Sequence, residues 1–211
     1  MVNMEINLAS IGMEKGRQYE TIITTNNGNG SKNAAPIGVL CAGDNKIICR
    51  IFKGSRTLDN IIREKEFVVN ITHDPELFTL SLLKNLPQDH FNENLSIKCA
   101  DAYFKCDAIS FTEAVKQSDP IRNKGEAIVF KSKAVDLVIK NPVKAMNRGF
   151  GYVIESLGNF KRFDLVDDAK KEEYIIQFKE AYRVVLKVGR KEDIKAMKEI
   201  KKELLKKGCD L

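Results

Sequence analysis

Residues 19–52 read YETIITTNNGNGSKNAAPIGVLCAGDNKIICRIF, and this stretch decides the fold. Residues 19–25 (YETIITT) are rich in Thr, Ile and Tyr, side chains that suit a pleated surface. The NNGNG run at 26–30 then supplies residues that tolerate positive φ, as a tight turn requires. Residues 33–40 (NAAPIGVL) and 46–52 (KIICRIF) give two further strands. Nothing between them is long enough for a helical crossover, so the strands must run antiparallel, as a meander.

Downstream, residues 55–65 predict a short helix, with Leu58, Ile61 and Ile62 at helical spacing and Ser55 or Thr57 as its N-cap. Residues 67–72 (FVVNIT) return to strand, and Asp74-Pro75 caps and starts a helix over 76–84. Residues 85–96 read as polar loop. Residues 97–111 and 126–139 read as later strands, separated by the turn-like SDPIRNKG at 118–125. The pattern then changes to a period of 3.6. Asn141-Pro142 predicts a cap and first turn, with Met146, Phe150, Val153 and Leu157 forming an apolar stripe. Asp167 and Asp168 open a second helix carrying Ile175, Phe178, Tyr182 and Val185, stopped by Gly189. A third carries Ile194, Met197, Ile200 and Leu204 and ends at Gly208. The expected division is a β-rich domain over 1–139 and a helical domain over 140–211.

Charge supports that division. The net charge is +6, yet residues 1–139 carry 17 Lys+Arg and 17 Asp+Glu, whereas 140–211 carry 18 and 12. The whole excess therefore lies in the last third. No apolar run approaches the roughly 20 residues of a membrane-spanning helix, and the N-terminus lacks a secretion pattern, so the expectation is a cytoplasmic protein. Cys41, Cys49, Cys99, Cys106 and Cys209 are odd in number and form no C-x-x-C pair, which argues against a disulfide framework. With His73 and His90 as the only histidines, a structural zinc site is not expected.

The chemistry concentrates in RIFKGSRTLDN at 50–60, a strand end, a glycine turn and a helix start. A helix N-terminus presents unpaired N–H groups and the positive end of its dipole. Gly54 allows close backbone approach, Ser55 and Thr57 offer hydroxyls, and Lys53 and Arg56 offer charge, a set suited to a phosphate monoester. The same hydroxyls equally fit simple helix capping, with the cations in water. The preceding NAAPIGV at 33–39 favours a ligand. Pro and Gly inside a strand mark an edge, a bulge or close approach by another group, and a flat ring lying along this backbone needs small side chains.

Taken in order, YETIITT, NAAPIGV, RIFKGSRTLDNI and FVVNITHDPELF resemble an archaeal family of uncharacterised proteins built on the FMN-binding split barrel. Flavin reductases and pyridoxamine-phosphate oxidases share that fold. NRGFGYVIESLGNFKRF at 147–163 resembles the family's helical C-terminal domain. The resemblance implies an α+β protein: an antiparallel split β-barrel of the FMN-binding type with a small C-terminal helical domain, as a homodimer with FMN near the subunit interface. It implies that Lys53, Ser55 and Thr57 hold the phosphate, with Gly54 in the turn and Arg50 and Asn60 close by. Asn33, Ala34, Ala35, Pro36, Ile37 and Gly38 would line the ring, mainly through backbone groups. Asn70 and Thr72 would reach the ring edge or ribityl chain, and Asn147, Arg148 and Arg162 would face the same cleft. Arg148 and Arg162 equally fit a solvated helix face. The family's His-x-Thr-Arg-like helix ending reads Asn159-Phe160-Lys161-Arg162 here, so only the arginine is retained.

FMN carries redox chemistry itself, and the protein binds and orients it. No nucleophile–base pair, P-loop or G-x-G-x-x-G is present, and no residue stands out as a catalytic acid or base. The expectation is a flavin-dependent oxidoreductase or electron carrier. A flavin module without turnover and a deazaflavin (F420) barrel are the related alternatives. Nucleic-acid binding by RKEDIKAMKEIKKELLKK at 190–207 ranks lower, because acidic residues are interleaved and no aromatic is available for stacking.

Overall fold

A computed structural model describes residues 6–116 and 125–211. Six strands, β1 (Gln18–Asn26), β2 (Lys32–Gly43), β3 (Lys46–Phe52), β4 (Glu66–Ile71), β5 (Ala102–Lys116) and β6 (Gly125–Ile139), close an antiparallel barrel. Their order around it is β1-β2-β3-β6-β5-β4. The β1–β2–β3 meander expected from residues 19–52 is present, with Thr25 opposite Asn33 and Val39 opposite Cys49. Alternation fixes the inner face: Tyr19 and Ile23, then Ile47, Cys49 and Ile51, then Phe67, Val69 and Ile71 enter one core. Helix α1 (Arg56–Glu64) contributes Leu58 and Ile61 to that core.

Outside the barrel, α2 (Pro75–Leu83) buries Leu77 with Ile22 and Ala34. The segment 85–96, expected as polar loop, instead anchors Leu86 and Phe91 in the same cluster and buries Leu95 beside Val68 and Tyr103. Gln88 holds it down: its amide receives the Lys32 N–H at 2.7 Å and donates to the Lys32 carbonyl at 2.9 Å, as a neighbouring strand would. Strand β5 starts five residues later than expected and runs on to Lys116. The turn expected at 118–125 lies outside the described residues, apart from Gly125, the first residue of β6.

The chain forms two compact units, Met1–Met146 and Asn147–Leu211. The division falls after residue 146 instead of 139 because the intervening residues bond to the barrel. Lys140 and Asn141 donate backbone N–H groups to Asp101, Ala145 donates to Ile11, and Met146 bridges to Glu20. Asn141-Pro142 therefore starts no helix, and the Asn141 amide reaches Asp101 at 3.1 Å.

In the second unit α3 (Gly149–Arg162), α4 (Asp168–Val188) and α5 (Lys191–Lys206) enclose Val153, Tyr174, Phe178, Val185, Met197, Ile200 and Leu204. Asp167 caps α4 as its sequence suggests. The stripe expected on α3 is turned: Val153 and Ser156 are buried, while Phe150 and Leu157 are exposed. Gly149 sets this face, since a Cβ there would lie 2.8 Å from the Gly189 Cα and from Asp193 Oδ2. No helix among the described residues is long and apolar enough to cross a membrane.

Candidate functional site

The turn from β3 into α1 begins at Gly54, whose φ of +82° is the left-handed conformation that glycine adopts without strain. Ser55 is the N-cap. Its Oγ accepts the Leu58 N–H at 3.3 Å and donates to the Phe52 carbonyl at 3.0 Å. Thr57 lies two residues further in and is buried, with its Oγ1 accepting from Asn33 Nδ2 at 3.0 Å.

That bond belongs to a polar network tying α1 to the ends of β1 and β2. Asn33 also reaches Thr25 Oγ1 at 3.3 Å. Asn60 donates to Thr25 Oγ1 and Asn27 Oδ1, both at 2.9 Å, and accepts from Arg63 at 3.2 Å. The structure thus brings Asn33, Thr57 and Asn60 into one network, with Thr25 Oγ1 shared by Asn33 and Asn60. A buried network satisfied in this way fixes the turn in place.

Alternation sorts the strand at 33–38. Asn33 meets Thr25 and Ile37 packs against the barrel core, so Asn33, Ala35 and Ile37 share the inner face. Ala34, Pro36 and Gly38 share the outer face, where Ala34 lies under α2. A Cβ on Gly38 would lie 2.5 Å from Gln18 Nε2, so the Gln18 side chain rests over this glycine. On β3 the outer residues are Ile48, Arg50 and Phe52. Arg50 pairs with Val129 of β6 and, one step beyond the Val39–Cys49 pair, lies beside Gly38.

Arg50 carries the unusual chemistry. Its Nε and Nη2 are buried without a hydrogen-bond partner among the described residues, and its guanidinium stacks 5.2 Å from the Phe52 ring centre. Buried donors of this kind are almost always paired in native proteins. Lys53, the residue directly after the end of β3, is held by Glu113 at 3.3 Å and Glu126 at 3.4 Å. Their hydrogen bonds raise its pKa. Arg56 reaches Asn85 Oδ1 at 2.9 Å.

The remaining candidates have structural partners. Asn70 is fully buried, donating to the Ile22 carbonyl and Thr24 Oγ1 and accepting the Ile97 N–H at 2.7 Å. Thr72 Oγ1 accepts the Asp74 N–H at 3.1 Å at the entry to α2. In the helical unit, Asn147 donates to the Val188 carbonyl at 2.6 Å and accepts the Gly149 N–H at 2.8 Å, clasping the start of α3 to the end of α4. Arg148 precedes α3 and Arg162 ends it. Sequence reasoning missed Glu113, Glu126 and Gln18. The two glutamates come from strands remote in sequence, and no local pattern marks them.

Residues 19–141 match a family described as Protein of unknown function (DUF447), N-terminal domain, and residues 147–202 match its companion, Protein of unknown function (DUF447). The chain belongs to the DUF447 family. The second DUF447 match begins at residue 147, where the second compact unit also begins. An uncharacterised protein of Methanocaldococcus jannaschii is 26% identical over 82% of this chain and 91% of its own length. Among solved structures, an FMN-bound DUF447 protein of Methanosarcina mazei is 27% identical, with a TM-score of 0.52 over 93% of this chain and 99% of that one.

Proposed function

We propose that this chain binds FMN, with the phosphate at the β3–α1 turn and the ring along the outer face of β2. The observation that carries this reading is Arg50, a cation with two buried N–H-bearing nitrogens and no acceptor among the described residues, beside the small-residue stretch Pro36–Gly38. An anionic or carbonyl-bearing ligand would supply the missing acceptors. The FMN-bound DUF447 protein, alike over nearly the whole chain, supports FMN as that ligand.

The residues present fit the group. Arg50, Lys53 and Arg56 supply charge, Gly54 and the N-terminus of α1 supply backbone N–H groups, and Ser55 and Thr57 keep the turn in shape. On the outer face Pro36 and Gly38 offer a low ribbon to a flat ring, and Ala34 lies under α2. Ala35 and Ile37 add backbone groups while their side chains turn inward, and Asn33 and Asn60 brace the end. Asn70 and Thr72 act behind this surface through the bonds described above. Bound FMN supplies the redox chemistry, which makes a flavin-dependent oxidoreductase or electron carrier the proposed role. Exposed Phe52 and Ile109, on strands β3 and β5, offer apolar surface to a second copy, in keeping with a homodimer. Five free thiols suit the reducing cytoplasm.

The basic helices give little support to a nucleic-acid role. Their lysines and arginines are laced into pairs one turn apart, such as Lys170–Glu173, Arg183–Glu180 and Lys206–Glu203. The deciding experiment is the absorption spectrum of freshly purified protein with mass identification of the released chromophore. The expected result is a yellow protein releasing FMN. A colourless protein that takes up no added FMN overturns the reading, and a released deazaflavin redirects it to F420. Bleaching by NADH or NADPH without oxygen would add the reductase role.

A further inference from the structure

The ion pairs on Lys53 raise a question about the phosphate end of the site. A lysine meant for a phosphate lies instead between two carboxylates, one on β5 and one on β6. The Lys53 backbone N–H donates to the Glu126 carbonyl at 3.1 Å, so the strand end is fixed and only the side chain is free to choose partners. Glu113 and Glu126 are substantially exposed, and pairs this exposed are weak enough to exchange.

We propose that Glu113 and Glu126 form an anion latch on Lys53: they hold its ammonium in the ligand-free chain, and the phosphate of the incoming flavin takes their place. The proposal rests on the FMN reading above and deepens it, since it makes two carboxylates on the β5–β6 pair regulators of cofactor affinity. A phosphate monoester carries close to two negative charges and three acceptor oxygens, so it competes well against single carboxylates for one ammonium. Gly54, the α1 N-terminus and Arg56 sit in the same turn and add to the phosphate side of the exchange. The latch also gives selectivity. A flavin without a phosphate has nothing with which to release Lys53, so the glutamates affect FMN and leave riboflavin alone.

The test is a fluorescence titration of the full chain with FMN and with riboflavin, in the wild type, E113Q/E126Q, K53A and the K53A/E113Q/E126Q combination. The latch predicts that E113Q/E126Q binds FMN threefold to tenfold more tightly, with riboflavin affinity unchanged. In the K53A background the same two substitutions should change nothing, because the competition acts through Lys53. Unchanged or weaker FMN binding by E113Q/E126Q overturns the latch while leaving FMN binding by the wild type intact. Equal tightening with and without Lys53 also overturns it, by assigning the effect to a general loss of negative charge. Failure of the wild type to take up FMN defeats the FMN reading itself, and the latch with it.

Discussion

Arg50 illustrates how a single side chain can lower stability in one state and raise affinity in another. A buried donor left without an acceptor costs about 1–3 kcal/mol, and here two guanidinium nitrogens of one residue are in that position. Arg50→Met removes the penalty and keeps an apolar stem against Phe52. The melting temperature of the ligand-free variant should hold or rise, while FMN affinity in a fluorescence titration should fall by about tenfold to a hundredfold. A large loss of stability with unchanged FMN binding would assign Arg50 to the fold. The cysteines permit a second test. Burial pushes the Cys49 thiol up to about 12 and Cys106 well above its ordinary value. Cys41 is buried too, whereas Cys99 is exposed and Cys209 partly so. A disulfide reagent at pH 8 should therefore label Cys99 and Cys209 in the native protein, and all five only after denaturation. Since the Cys49 value is raised by folding, its contribution to stability is complete below pH 9 and is lost as pH climbs toward 12.

Among the elements, the β3–α1 corner is where local sequence and structure agree best. Gly54→Ala places a Cβ at φ +82°, which costs roughly 1–2 kcal/mol. Ser55→Ala removes the cap at a cost of about 1 kcal/mol. Both should lower the urea midpoint by similar amounts without changing its slope. This corner was legible because a strand, a positive-φ glycine and a capping hydroxyl are each encoded within a few residues. The start of α3 was not. Asn141-Pro142 carries the local signature of a helix entry, yet Asp101 recruits the Asn141 amide and the barrel takes the following residues as an extended strap. The segment 85–96 misled for the same reason. Its polar composition conceals three apolar anchors and a glutamine that imitates a strand.

At the scale of the whole molecule, the β-rich part and the helical tail were visible in the change to a 3.6-residue period, whereas the barrel was legible only through the family resemblance. The site was visible only in part. NAAPIGV and RIFKGSRTLDN point to one corner of the barrel, but which polar groups there are already engaged depends on strands that meet only after folding. The two units have separate cores, one from Leu8 to Ala145 and one from Val153 to Leu204. Calorimetry should accordingly resolve more than one transition, with a van't Hoff enthalpy smaller than the calorimetric one. A single two-state peak would show the units to unfold together.

Closing the ring also has a cost in time. The β3–β6 seam joins Lys46 to Lys133 and Phe52 to Ala127, and the β1–β4 seam joins Ile22 to Asn70. Such distant partners must find each other before the barrel gains anything from them, whereas α3, α4 and α5 are neighbours along the chain. The helical unit should then reach its native form before the barrel, and refolding after a denaturant jump should show fast helical recovery followed by slow return of the buried Tyr19 signal.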